Sequence, residues 1–272
     1  AQICKSGTQN PQRGRRQRVT DFEKTSQHRT ENMDAHLYLL LLCIGASFVQ
    51  RVTGFGFGIF IMTWLTALMP SYGEATALSG ILALCTSLIV AVRMWRHIRW
   101  NHLWLILVAF MAFSAICIFA LTQIHDTVLN TILGCVLIFA SIYFLFINGH
   151  IHLKPSRSTQ VAAGSLSGIM GGLFAMQGPP AVLYFLASET DKNHYMATVQ
   201  TYFLIGNIGM AMVRAYNGFV TPAVGYGFLY GIGGVIIGNV IGALVFRRIS
   251  INLLRTLVYI YLAISGVMIL LR

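Results

Sequence analysis

Thr53-Gly54-Phe55-Gly56-Phe57-Gly58 interrupts an apolar run over residues 36–69, and Gly178-Pro179-Pro180 interrupts another over 159–188, about half a chain later. A helix broken inside lipid leaves backbone N–H and C=O groups without partners, at a cost of several kcal/mol each, unless protein, water or a ligand satisfies them. Paired breaks in corresponding hydrophobic segments are therefore the sequence mark of a transporter site near the middle of the membrane.

The surrounding chain fits that reading. Of 272 residues, 56% are hydrophobic and only 10% charged, and the mean hydropathy is +0.68, whereas soluble domains carry roughly 25% charge. The fold class expected is an all-α polytopic membrane protein. Apolar stretches long enough for a ~30 Å hydrocarbon layer cover residues 103–122, 127–148, 222–246 and 250–271, with shorter ones at 76–95 and 196–217. The net charge of +11 does not point to nucleic acid, because seven of the nineteen basic residues precede Met33 in a polar tail and the others sit mostly in short loops. In a membrane protein such charge reports orientation. The tail, residues 1–32, has no central apolar stretch of the kind a signal peptide carries, and Met33-Asp34-Ala35-His36 ahead of a leucine-rich run reads as a natural start, so the tail is expected to be disordered or not native. The five cysteines have neither metal-like nor disulfide-framework spacing.

Set against itself with a shift of 122, the chain places Gly56 on Gly178 and Ala75-Thr76 on Ala197-Thr198. This gives two repeats, residues 33–150 and 159–272, joined by a linker at 151–158. Each is a broken segment followed by three continuous helices. Arg93, Arg96 and Arg99, then Lys154 with Arg157, then Arg247-Arg248 mark three loops as cytoplasmic. Eight simple crossings put the last of these outside. Two re-entrant hairpins put all three inside, make the repeats inverted, and leave Glu74, Asp126 and the 217–222 turn outside. The alternative for the first break is a single tilted, kinked crossing.

The break Thr53 to Gly58, the stretch Gly171-Gly172-Leu173-Phe174-Ala175-Met176-Gln177-Gly178-Pro179-Pro180-Ala181-Val182-Leu183-Tyr184 and the continuation Tyr195-Met196-Ala197-Thr198-Val199-Gln200-Thr201-Tyr202-Phe203 together resemble the TauE/SafE sulfite-exporter family. The resemblance runs from about residue 37 to 271. The Gly-Pro-Pro element in its apolar setting is the specific part. Ala175 and Gln177 depart from it where relatives commonly carry glycine, and Met196 where arginine is common. The resemblance implies a multi-pass protein of the bacterial inner membrane that exports sulfite, sulfonates or related small organosulfur anions.

On the residues themselves, an anion at mid-membrane needs donors, and the N-termini of broken helices supply them. Gly54, Gly56, Gly58 and Gly178 let backbone come close to a ligand. Pro179 and Pro180 stop the preceding helix while removing two N–H groups. Thr53, Gln177, Gln200, Thr201 and Asn207 are the nearby polar side chains, whose ordinary alternative is interhelical hydrogen bonding. Arg51, a cation three residues before Gly54, is either a bidentate partner for an oxyanion or a side chain snorkelling to headgroups. Arg93 and Arg214 lie at helix ends and read as topological anchors, as do Trp95, Trp100 and Trp104. Gly234, Gly238 and Gly242, four residues apart, read as a helix-packing stripe.

No Asp or Glu falls inside an apolar segment, and the histidines sit in or beside loops, so a proton-carrying carboxylate is missing. An enzyme is not expected: Ser165 and Ser167 lack a histidine in an apolar segment to activate them. The glycine run lacks the strand and distal acid of a dinucleotide fingerprint. No cofactor or metal is expected. The expected partners are a small anionic substrate and the lipid bilayer, not nucleic acid, with a homodimer left open. The closest alternative to a carrier is a passive anion channel or facilitator, or a carrier of another small anion.

Overall fold

The computed structural model describes residues 36–142, 155–189, 191–245 and, near the C-terminus, 260, 264, 267 and 269–271. The N-terminal tail, most of the linker with Lys154, the Arg247-Arg248 turn and nearly all of the 250–271 span lie outside the described residues. The chain forms two units, Ala1–Tyr38 and Leu39–Arg272. Of the first only residues 36–38 are described, as helix, and the other described residues all belong to the second.

Every regular element among the described residues is helical: α1 (His36–Thr53), α2 (Phe57–Leu68), α3 (Tyr72–Met94), α4 (Trp100–Leu121), α5 (Asp126–Ile142), α6 (Arg157–Phe174), α7 (Gly178–Ser188), α8 (Lys192–Tyr216) and α9 (Pro222–Val245), with a 3₁₀ turn at Trp95–His97. By length and composition α1, α3, α4, α8 and α9 are each fit to cross a membrane. The protein is thus a multi-pass membrane protein. Polar caps set the helix starts. Ser71 accepts from the Glu74 N–H at the head of α3, and Ser156 and Thr159 form a capping box on α6. Asp191 accepts from the His194 and Asn193 N–H groups at the head of α8. Those bonds, the one from His194 foremost, hold the Asp191 carboxyl below its ordinary pKa.

Both broken segments fold back on themselves. The Gln160 side chain of α6 donates to the Tyr184 hydroxyl of α7 at 2.6 Å. In a continuous helix, 24 residues would separate the two by roughly 36 Å. In the first segment the Phe60 ring of α2 lies 2.9 Å from where a methyl on Gly45 of α1 would stand. Each segment is therefore a helical hairpin, and the kinked-crossing alternative does not hold for the first break.

The hairpins are clamped by close helix approaches. Methyl groups at Gly164, Gly168 and Gly172 of α6 would strike the backbone of α4 at Ile106, Phe110 and Ser114. Methyls at Gly234, Gly238 and Gly242 of α9 would strike α1 at Leu40, Ile44 and Arg51. The stripe read in the sequence is a packing surface, and small residues are what permit such contact between helices that gain little from apolar burial in lipid. Helices α3 and α8 pack together along the centre and run antiparallel. At one end the Arg99 N–H donates to Thr198 at 3.1 Å, and His194 Nδ1 meets the His97 carbonyl at 2.8 Å. At the other end Thr221 donates to Glu74 at 2.6 Å, and the Tyr72 N–H donates to Asp126 at 2.9 Å. Arg93, Arg96, Arg99 and Arg157 thus gather at one end of the bundle, and Glu74 and Asp126 at the other. Large apolar side chains such as Trp104, Ile116, Leu229 and Leu244 are exposed on the outer faces of α4 and α9.

Candidate functional site

The two hairpin tips meet. A methyl on Gly58 would land on the Ala175 carbonyl, and one on Gly178 would stand 3.2 Å from the Phe55 side chain. The meeting point lies against Ser79 to Ser87 of α3 and Gln200 to Asn207 of α8, the middle of both long helices.

The tips are built differently. At the first, Gly54 (φ 88°) and Gly56 (φ 104°) adopt the left-handed region that glycine enters without penalty. Thr53 Oγ1 is occupied inside the turn, within hydrogen-bond distance of the carbonyls of Phe55 (2.6 Å) and Val49 (2.9 Å), which share its one proton. At the second, α6 ends on Ala175, a non-glycine residue at φ 55°. The Ala175 N–H returns to the Gly171 carbonyl, the 5→1 bond of an αL ending, and the Met176 N–H to Met170. Ser167 donates to the Gln177 carbonyl, and Pro179 and Pro180 fill the first turn of α7.

Between the tips lies a cavity of about 20 Å³, lined by Gln50, Gly56, Gly58, Gln177, Gly178 and Asn207 together with apolar groups that include Phe203 and Met176. Its polar lining is incompletely satisfied. Gln177 Oε1 and Asn207 Nδ2 are buried without hydrogen-bond partners, and so is the hydroxyl of Ser79, beside Gly58. Buried polar groups are paired in the great majority of cases, so Gln177 and Asn207 stand out in the cavity lining, with Ser79 close by. The first-turn N–H groups of α2 open here as well, having no intrahelical acceptor by position.

Of the residues expected from the sequence, Gly56, Gly58, Gln177, Gly178 and Asn207 come together at the cavity. Gln200 stands just behind them, donating to the Gly54 carbonyl at 2.7 Å, while Gln50 donates to Gln200 at 3.5 Å and to Ser87 at 3.0 Å. Thr201 is spent on its own helix, donating to the Ala197 carbonyl. Pro179 and Pro180 shape the turn and are buried. Arg51 lies apart from the cavity lining: its stem packs over Gly242 of α9, and Arg93 is its charged neighbour. Ser167, a nucleophile candidate by residue type, is engaged within the second hairpin.

Two residues escape a reading of the sequence. Gln50 is an intramembrane amide one turn before Gly54, and that position is its signal. Arg214 is not the surface anchor its place near the end of α8 suggests. It is 1% exposed, the largest fully buried side chain among the described residues, and its Nη2 donates to the carbonyls of Gly171 (2.9 Å) and Gly172 (3.1 Å). Helical side chains reach back over the preceding turn, so an arginine two residues from a helix end can still point into the interior. Trp95, Trp100 and Trp104 are exposed, with Arg96 stacked over Trp95. The four described cysteines are free and scattered.

Residues 39–269 match the family described as Sulfite exporter TauE/SafE. Over 201 residues, 71% of this chain and 78% of the relative, the sequence is 21% identical to the probable sulfite/organosulfonate exporter TauE of Cupriavidus necator. No solved structure matches the chain.

Proposed function

The chain belongs to the sulfite exporter TauE/SafE family, and from that premise we propose that it is a secondary transporter exporting small organosulfur anions, sulfite or sulfonates, across the bacterial inner membrane. The observation that carries this reading is the meeting of two broken-helix tips halfway along α3 and α8, around a cavity whose Gln177 and Asn207 side chains each leave a buried polar atom without a partner. The first-turn N–H groups of α2 face an oxyanion with the positive end of a helix dipole.

The two halves act as inverted repeats. Their equivalent long helices, α3 and α8, run antiparallel, and the pairing of α1 with α9 corresponds to that of α6 with α4 when the halves are exchanged. On this reading each hairpin enters and leaves the membrane on one side, with the arginine-rich end in the cytoplasm. A cavity of about 20 Å³ has room for a single water and none for a sulfonate, so passage requires the tips to part first toward one face and then the other. That requirement favours a carrier over an open pore.

Flux of sulfite, a sulfonate and sulfate into proteoliposomes, with and without a pH gradient, tests the proposal. Accumulation above equilibrium is expected for sulfite or the sulfonate. Strictly downhill flux would move the protein to the facilitators, and no flux of any of the three would refute the anion assignment.

A further inference from the structure

Arg214 carries more charge than its visible role requires. Its Nη2 donates to two carbonyls at the end of α6, Nη1 donates to Met210 Sδ at 3.8 Å, and Nε is buried without a partner, with Tyr72 as the guanidinium's electrostatic neighbour. Among the described residues no carboxylate lies within ion-pair distance of this guanidinium, the one contact of a basic side chain with a carboxylate being His102 with Glu189. A neutral amide would cap the same carbonyls without the desolvation cost of a buried cation. Its position supplies the reason for the charge. Nη1 and Asn207 Oδ1 lie 3.2 and 3.9 Å from the point where a methyl on Gly80 would stand, and Asn207 lines the cavity. The absent side chain at Gly80 leaves arginine and asparagine to close over the same space.

We propose that Arg214 is the fixed positive charge of the central anion site, and that this charge selects a monoanion, such as an organosulfonate or hydrogensulfite, over a dianion. The inference rests on reading the cavity as an anion site. One buried cation and no carboxylate give a complex that is neutral with a monoanion and carries an uncompensated buried charge with a dianion. Asn207 and the first residues of α2, which line the cavity, supply the donors that oxyanion oxygens would use, and the Arg214 charge acts on them from beside Asn207.

The test uses the full chain in proteoliposomes, with methanesulfonate as the transported probe and sulfate as competitor, alongside Arg214→Gln and Arg214→Lys. For the unmodified protein, methanesulfonate should bind at least about tenfold more tightly than sulfate. Arg214→Gln should raise the methanesulfonate KM by about tenfold or more and abolish ligand-induced thermal stabilisation. Arg214→Lys should recover most of the affinity. Equal or tighter sulfate binding by the unmodified protein would overturn monoanion selection even if no variant folds. A folded Arg214→Gln variant with an unchanged KM would overturn the role of the arginine while leaving the transporter reading intact. If the unmodified protein neither moves nor is stabilised by either anion, the anion site itself fails and Arg214 falls with it.

Discussion

The two hairpins reach the same place by different chemistry. The first turns on two glycines in the left-handed region, and the second on a strained alanine followed by two prolines. The difference matters for what each tip can offer a ligand. The first turn of α2 keeps its N–H groups, whereas Pro179 and Pro180 remove two from the first turn of α7. If the cavity takes an anion as proposed, the first tip supplies backbone donors, and the second contributes the Gln177 amide and the carbonyls that hold Arg214.

Substitutions can break this division of labour. The largest effect is expected at the tip contact. Gly58→Ala would drive a methyl into the Ala175 backbone, which cannot rotate aside, and transport should fall to background at matched protein levels. Gly178→Ala meets the Phe55 side chain at 3.2 Å, which can move, so it should cost only a few-fold in flux, as overpacking against a movable group typically costs about 1–3 kcal/mol. Equal losses in proteoliposome flux would contradict the distinction. The clamps come next. Gly168→Leu on α6 and Gly238→Leu on α9 should each lower the detergent melting temperature and reduce flux by similar amounts, because each glycine faces a backbone carbonyl of its partner helix. A loss confined to one would show that the clamps are not equivalent.

Smaller effects test the donor count. Pro180→Ala returns an N–H to the second tip and should lower the KM for the transported anion a few-fold, at a stability cost of about 0.4–1 kcal/mol from the freer unfolded chain. An unchanged KM would mean that the second tip does not face the anion. Ala175→Gly should be the mildest. It relieves a left-handed alanine and is expected to stabilise by up to about 1 kcal/mol, measured as a raised melting temperature with flux unchanged.

Much of this architecture is legible in the residues, for reasons particular to each. Glycine and proline announce a broken helix because their backbone preferences act locally, so both breaks stand out. That the breaks fold back as hairpins is reachable in the sequence only through the placing of the basic loops, and the contact that shows it, Gln160 with Tyr184, exists only in the folded chain. The same limit governs the site. Thr53 and Thr201 read as ligands because they are polar and close to the breaks, yet their hydroxyls satisfy backbone carbonyls within a turn. Arg51 draws attention for its charge close to Gly54, while Arg214, far along the chain from either break, passes for an anchor because its burial depends on which way α8 faces.

The clamps also set a timetable for assembly. The contacts of α6 on α4 join residues about sixty positions apart, whereas those of α9 on α1 join residues almost two hundred apart. At a synthesis rate of ~5–20 residues per second, the first hairpin waits roughly ten to forty seconds for its clamp, and the second finds its partner helix already made. During that wait Ser47 and Gln50 would lie exposed in lipid, were it not for Thr86 and Ser87 of the next long helix, which bond them at 3.1 and 3.0 Å. Both partners of these two pairs are made well before α9, so the polar face of α1 has hydrogen-bond partners within reach before Asn239, which donates to Ser47 in the folded chain, is synthesised.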